Sequence, residues 1–193
     1  MKNLFEIYYL VGLVIGSIIR RIGSLKSGKE KPAYRQQAIA DTLLVTLTGL
    51  GMFMPLFYFL TSWLNFANYS LPVWVNYIGV IIFPLGIWLL WRSYMDLNKN
   101  WSSTLEIHKD HVLVTSGVFH YLRHPMYLAY LLWAIAQVAL IANWIAGPAM
   151  ICFLIPLCFY RIPREEKMML EKFGEQYRSY INRTGRLFPK INN

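Results

Sequence analysis

Residues 126–160 read MYLAYLLWAIAQVALIANWIAGPAMICFLIPLCFY, a run of 35 residues without a charged side chain. Asn143 divides this run into two halves, 126–142 and 144–160, and each half has 17 residues. A helix needs ~17–25 apolar residues to cross the hydrocarbon core of a bilayer. Because a one-residue connection leaves no room for a crossover, the stretch predicts two antiparallel transmembrane helices joined as a hairpin.

Three further apolar stretches precede the hairpin, at residues 4–19, 38–64 and 73–95. The composition supports the same interpretation, since 56% of the 193 residues are hydrophobic and only 15% are charged. A soluble domain has roughly 25% charged residues. The sequence therefore predicts an all-α integral membrane protein with five transmembrane helices.

The basic residues are distributed unevenly between the connecting segments. Segment 20–37 has six Lys and Arg residues, segment 92–125 has four and the tail from 161 has eight, which together make 18 of the 19 in the chain. Basic residues collect in cytoplasmic loops, so this alternation predicts an N-terminus outside and a C-terminus in the cytoplasm. The net charge of +9 is then explained by the anionic cytoplasmic leaflet, and nucleic acid is not expected as a partner.

The tail beyond the fifth predicted span is amphipathic. Met169, Phe173, Tyr177 and Tyr180 recur at helical spacing, and Pro163 suits a first helical position. This pattern predicts an amphipathic helix in the cytoplasmic C-terminal tail, continuing from the fifth span or packing against the membrane.

Polar residues concentrate in two places, one on each side of the hairpin. The first is residues 111–127, HVLVTSGVFHYLRHPMY, with three histidines and one arginine. His120 and His124 lie four residues apart, but Pro125 disfavours a helix through both, so no metal site is predicted. The Arg-His-Pro sequence at the end of a span places imidazole and backbone groups where a polar small molecule could bind.

The second concentration is Arg161-Ile-Pro-Arg-Glu165-Glu166, directly after the fifth predicted span. Alone, Arg161 would be expected to reach the lipid phosphates. Glu165 follows four residues later, and if the helix continues through Pro163, the two side chains share a helix face. They can form an ion pair or present opposite charges to a single ligand.

These motifs occur in an order and spacing that resemble one known family. The sequence LVTSGVF, then YLRHPMY, then Arg161-x-x-x-Glu165, then FGEQY is similar to the isoprenylcysteine carboxyl methyltransferases, and parts of it are shared with the related phosphatidylethanolamine N-methyltransferases. The resemblance extends from Glu106 to the end, and the five-span pattern looks like the short prokaryotic members. It implies a single membrane-embedded methyltransferase domain, 1–193, with three spans in 1–105 and a catalytic half in 106–193.

The resemblance also implies a cofactor and roles for individual residues. The cofactor would be S-adenosylmethionine, Glu165 would contact it, and Arg161 would lie on the substrate side. Phe119 replaces a tyrosine that is often found there, and 187–189 would close over the adenine. The other cofactor-binding positions would be His111, Val112, Leu113, Val114, Phe119, His124, Pro125, Met126 and Tyr127.

Two acceptors are compatible with these residues. A carboxylate acceptor is already ionised near neutral pH, since reference pKa values of carboxyl groups lie around 4, and it needs no general base. Arg161 would orient it and Glu165 would hold the cationic donor. An amine acceptor must lose a proton, which Glu165 would accept while Arg161 would bind lipid phosphate. The resemblance favours the carboxylate, and in both cases the acceptor would be lipid-linked or amphipathic, among membrane lipids.

Two other functions fit the residues less well. A membrane steroid reductase with a similar arrangement of spans would use NADPH and would need groups for an extra phosphate. A non-enzymatic transporter subunit or scaffold would place polar residues midway along its spans, where Gln137 stands nearly alone.

Overall fold

The computed structural model describes residues 4–25, 34–35, 39–98, 106–107 and 112–190. Within these ranges the chain is almost entirely helical. Two short 3-10 helices lie in connecting segments, at Asn65–Ala67 and Gly117–His120, and β1 (Tyr34–Arg35) pairs antiparallel with β2 (Glu106–Ile107). The α-helices are α1 (Leu4–Leu25), α2 (Ile39–Leu60), α3 (Val73–Leu97), α4 (Pro125–Leu140), α5 (Ala149–Phe173) and α6 (Glu175–Arg183).

Each of the five predicted spans overlaps one of the helices α1 to α5. Two of these helices, Ile39–Leu60 and Val73–Leu97, are long and apolar enough by themselves to cross a bilayer, and Pro125–Leu140 is apolar but shorter. The all-helical architecture with apolar helices is confirmed. The number of spans stays a prediction.

The fifth predicted span differs most from the structure, because α5 begins five residues later than expected, at Ala149. The side-chain oxygen of Asn143 accepts hydrogen bonds from the backbone N–H groups of Ile145 (3.0 Å) and Ala146 (2.9 Å), so this segment forms a turn. At its other end α5 continues through Pro163 to Gly174, which has a φ of +51°. Pro163 is therefore inside a helix, not at a helix start.

Small residues on α1 allow it to pack closely against α3 and α4. A Cβ atom on Gly12 would lie 2.2 Å from the Phe83 ring, and one on Gly16 would lie 2.1 Å from the Trp133 ring. Tyr9, on the same helix, stacks on Phe83 with 5.1 Å between ring centroids. Aromatic side chains from α3 and α4 thus occupy the space that side chains would take at these glycines.

Gln137 is a buried polar residue within α4. Its amide nitrogen donates to the carbonyl oxygens of Gly51 (3.0 Å) and Ala146 (2.7 Å), and its oxygen accepts from the Tyr9 hydroxyl (2.8 Å). Both the nitrogen and the oxygen of this buried amide have hydrogen-bond partners, which an apolar environment requires. Gln137 therefore ties α1, α2, α4 and the turn before α5 together, which is a structural role.

The outer surface of α1, α2 and α3 is apolar. Soluble monomers rarely expose contiguous apolar surface beyond a few hundred Å², so this surface suits contact with lipid. Its large exposed side chains include Val11, Val14, Ile15, Ile18, Leu43, Leu50, Phe53, Leu56, Ile78, Ile81, Leu85 and Trp88.

Two helix pairs account for most of the packing, α3 with α4 and α2 with α5. The second pair packs closely at Gly51, which has no side chain. A Cβ atom there would lie only 2.5 Å from the carbonyl oxygen of Ala149. These pairs bring the N-terminal ends of α2 and α4 together with the polar part of α5. We call this the site end of the bundle, and it contains Asp41, His124 and Arg161.

Candidate active site

Arg161 lies at the centre of the site end and is held by two carboxylates. Its Nε atom lies 3.1 Å from Oδ1 of Asp41 and 3.6 Å from Oε1 of Glu165. Arg161 is 8% exposed and Asp41 is 2% exposed. The helical register of α5 places Arg161 and Glu165 on one face, as the sequence predicts, and the packing of α2 against α5 adds Asp41.

Glu165 links α5 to the start of α4. The Tyr127 hydroxyl donates to its Oε1 at 2.5 Å, and Nδ1 of His124 lies 3.6 Å from its Oε2. Burial raises the pKa of Glu165, but the contact with His124, the charge of Arg161 and the Tyr127 hydroxyl outweigh it, so its pKa lies below the usual range. Glu165 is therefore ionised near neutral pH, and its side chain remains 28% exposed.

His124 precedes the first residue of α4 and is buried between two glutamates. Its Nε2 lies 3.4 Å from Oε1 of Glu166, opposite the contact of its Nδ1 with Glu165. Burial lowers the pKa of His124, but the two carboxylates outweigh burial and raise it above the ordinary histidine value. The imidazole thus holds Glu165 and Glu166 at a fixed separation.

Glu166 ties the C-terminal segment to the site. It accepts hydrogen bonds from Nε of Arg123 (3.0 Å) and Nε of Arg186 (3.2 Å). Burial opposes the charge, but the hydrogen bonds from His124, Arg186 and Arg123 lower the pKa of Glu166 to about 2. The backbone adds two bonds, because the N–H groups of Arg123 and His124 donate to the carbonyl oxygens of Gly185 (2.9 Å) and Arg186 (3.0 Å).

The predicted cofactor-binding segment before the Arg-His-Pro sequence packs on α6. Leu113 is buried against Tyr177 and Tyr180. The Tyr180 hydroxyl donates to the carbonyl oxygen of Phe119 at 2.6 Å, and the Phe119 ring is buried. Arg123, which donates to Glu166, also donates to the carbonyl oxygen of Ile181 on α6 at 3.3 Å. The predicted cofactor-binding segment and the hydrogen-bond network of Glu166 therefore both contact α6.

The predicted site residues fall into three groups. His124, Tyr127, Arg161 and Glu165 form the central cluster. Pro125 is the first residue of α4, and Met126 packs against the main hydrophobic core. Along the α6 side lie Val112, which is exposed, Val114, which is half-buried, and Leu113 and Phe119. His111 lies outside the described residues, and Phe188 in the near-terminal segment is exposed.

The sequence did not predict that three further residues belong to the site, namely Asp41, Glu166 and Arg186. Asp41 and Arg161 lie on different helices, and nothing in their spacing links them. Glu166 is adjacent to Glu165, but its network depends on Arg186, which reaches it only because the chain folds back after α6. A buried acidic residue in the first turn of an apolar helix is the signal that could have identified Asp41.

The chain is similar to proteins of one known family. The sequence profile of the isoprenylcysteine carboxyl methyltransferase (ICMT) family matches residues 77–171, about half of the chain. Protein-S-isoprenylcysteine O-methyltransferase A of Arabidopsis thaliana is 25% identical over 156 residues, which cover 80% of this chain and 79% of the relative. Protein-S-isoprenylcysteine O-methyltransferase of Tribolium castaneum is 31% identical over 140 residues, which cover 68% of this chain and 50% of the relative.

A solved structure has the same fold. The eukaryotic intramembrane Ras methyltransferase ICMT superposes with a TM-score of 0.54 at 23% sequence identity, and the match covers 96% of this chain and 63% of that one. The fold match extends over α1 and α2, which precede the residues that the family profile matches. Profile, relatives and fold agree, and the chain belongs to the isoprenylcysteine carboxyl methyltransferase family of integral membrane methyltransferases.

Proposed function

We propose that this protein is an S-adenosylmethionine-dependent methyltransferase that esterifies the carboxylate of a prenylcysteine-like, lipid-linked acceptor. The observation that carries the proposal is the buried guanidinium of Arg161, held between Asp41 and Glu165 at the site end. The names of the relatives, protein-S-isoprenylcysteine O-methyltransferases, support the choice of acceptor.

The residues at the site end fit a cationic donor. Glu165 is ionised and partly exposed, and two neighbouring groups, His124 and Tyr127, fix its carboxylate. Such a carboxylate can bind the ammonium group or face the sulfonium of S-adenosylmethionine. The backbone of 112–115 and the apolar surface around Leu113 would bind the rest of it, together with Val112, Val114, Phe119, Pro125 and Met126. When bound, the cofactor would supply an electrophilic methyl group on a sulfonium, with a neutral thioether as the leaving group.

Arg161 would bind the acceptor. Its planar guanidinium can hold both oxygens of a carboxylate, which orients one of them for in-line attack. Orientation of two reactants can lower a barrier by several kcal/mol. The acceptor carboxylate is ionised near neutral pH, so the protein has to align it and exclude water, and no proton has to be removed.

The lowered pKa values of the two glutamates favour a carboxylate acceptor over an amine acceptor. An amine would need a group that takes up a proton, and efficient bases have a pKa near the working pH. The pKa values of Glu165 and Glu166 are both lowered, which makes these carboxylates weak bases. Phosphatidylethanolamine is therefore the second choice of acceptor, and membership in this family assigns methyl transfer rather than hydride transfer from NADPH.

We further propose that the site end faces the cytoplasm and that the helices α1 to α5 all cross the membrane. The support is the alternation of basic residues, which puts 18 of 19 in segments on one side. The water-soluble cofactor would then enter from the cytoplasm, and the lipid chain of the acceptor would enter from the bilayer. The site draws on both halves of a single domain, because Asp41 lies within 1–105 and Arg161 within 106–193.

The proposal is tested with the protein purified in detergent and S-adenosylmethionine labelled in the methyl group. N-acetyl-S-farnesylcysteine and phosphatidylethanolamine are supplied as acceptors in parallel reactions. We expect label in a base-labile methyl ester of the farnesylcysteine. Label in the phospholipid headgroup, with none in the ester, would overturn the carboxyl assignment.

A further inference from the structure

Asp41 lies closer than Glu165 to the guanidinium that we assign to acceptor binding. Its Oδ1 lies 3.1 Å from Nε of Arg161, and Glu165 lies 0.5 Å farther from the same nitrogen, at 3.6 Å. Asp41 belongs to the first turn of α2, outside the residues 77–171 that the family profile matches. The contact thus connects the acceptor residue to the N-terminal part of the chain.

The position of Asp41 follows from the packing of α2 on α5. α2 packs along α5, and at Gly51 the two backbones approach so closely that a Cβ atom would overlap the carbonyl oxygen of Ala149. A carboxylate in the first turn of a helix is also stabilised by the helix dipole. Asp41 is 2% exposed and so cannot turn to solvent without moving the helix.

A fixed counter-charge matters because arginine is a flexible side chain. Ordering a long charged side chain costs rotamer entropy. In this structure Arg161 is already ordered by Asp41, so an acceptor would not have to order it. When the Glu165 charge is shared with a cationic donor, Asp41 remains as a second counter-charge beside the guanidinium.

Resting on the function proposed above, we infer that Asp41 is a positioning residue for Arg161 in acceptor recognition. Asp41 holds the Nε edge of the guanidinium, and Arg161 contacts the acceptor carboxylate. Loss of the Asp41 charge should weaken acceptor binding and should leave donor binding intact, because the donor residues lie on α4, α5 and the α6 side.

The first test compares Asp41→Asn, Asp41→Glu and the wild type in detergent. We expect Asp41→Asn to raise the KM for N-acetyl-S-farnesylcysteine at least tenfold, with the Kd for S-adenosylmethionine within twofold of wild type. Asp41→Glu keeps the charge and should recover part of the loss. Glu171→Gln, which removes a carboxylate from an exposed ion pair on α5, is the matched control and should behave as wild type.

A double-mutant cycle separates positioning from general stabilisation. The Kd of the farnesylcysteine analogue is measured for Asp41→Asn, Arg161→Ala and the double variant. If Asp41 acts through Arg161, adding Asp41→Asn to Arg161→Ala should change this Kd by less than twofold. An additive effect, an equal loss of donor affinity, or unfolding of every Asp41 variant while Arg161→Ala folds would overturn the inference. Absence of ester formation by the wild type would instead refute the proposed function.

Discussion

Replacing Glu165 with Gln is the most informative single change, because it removes one charge and keeps the shape of the side chain. The amide oxygen can still accept a hydrogen bond from the Tyr127 hydroxyl. Arg161 retains its ion pair with Asp41, and His124 retains its contact with Glu166. A hydrogen bond to a charged group contributes ~1.5–3 kcal/mol. If that group is the donor's ammonium or sulfonium, the Kd for S-adenosylmethionine should rise ~10- to 150-fold.

The measurement is equilibrium binding of S-adenosylmethionine and of S-adenosylhomocysteine, which has no charge on sulfur. Equal weakening of both would place Glu165 at the ammonium group, and weakening of S-adenosylmethionine alone would place it at the sulfonium. Glu175→Gln, an exposed carboxylate at the start of α6, serves as the control. Wild-type affinity of Glu165→Gln for both ligands would refute the assigned role.

Three further outcomes follow from the structure. Arg161→Ala should lower turnover ~30-fold or more, since truncating one partner of a buried charge pair costs 2–5 kcal/mol, while donor affinity stays within a few-fold; wild-type turnover would contradict this. The pKa of Glu166, about 2, lies below its unfolded value near 4, so its stabilisation is present above pH ~4 and is lost as the pH falls toward 2. Glu166→Gln should flatten the acid dependence of thermal unfolding between those values, and an unchanged acid profile would argue against the network. Gly16→Ala should destabilise the fold by ~1–3 kcal/mol through overlap with Trp133, whereas Gly49→Ala, with open space around it, should not; equal melting temperatures would contradict the packing.

The sequence predicts those parts of the fold that depend on residues close together along the chain. The apolar stretches correspond to the helices, and the four-residue spacing of Arg161 and Glu165 places both on one helix face. The late start of α5 was not predicted, since it depends on the side chain of Asn143 accepting two backbone N–H groups. A hydrophobicity pattern does not distinguish an apolar turn from an apolar helix.

The site itself was predicted only on the α4–α5 side. His124, Tyr127, Arg161 and Glu165 come together as the motifs indicate. Asp41 was missed because its partner lies on another helix, and the contact is set by the packing of α2 against α5. The hydrogen bond between Arg186 and Glu166 was missed for the same reason. It depends on the path of the chain after α6, which brings Arg186 close to α5.

The central claim is that Arg161 binds the acceptor carboxylate beside a donor held by Glu165. An electron cryo-microscopy structure with S-adenosylhomocysteine and N-acetyl-S-farnesylcysteine bound tests it most directly. We predict that the farnesylcysteine carboxylate lies within hydrogen-bond distance of the Arg161 guanidinium, with one oxygen facing the donor sulfur. A carboxylate bound elsewhere, with Arg161 contacting only lipid phosphate, would contradict the account.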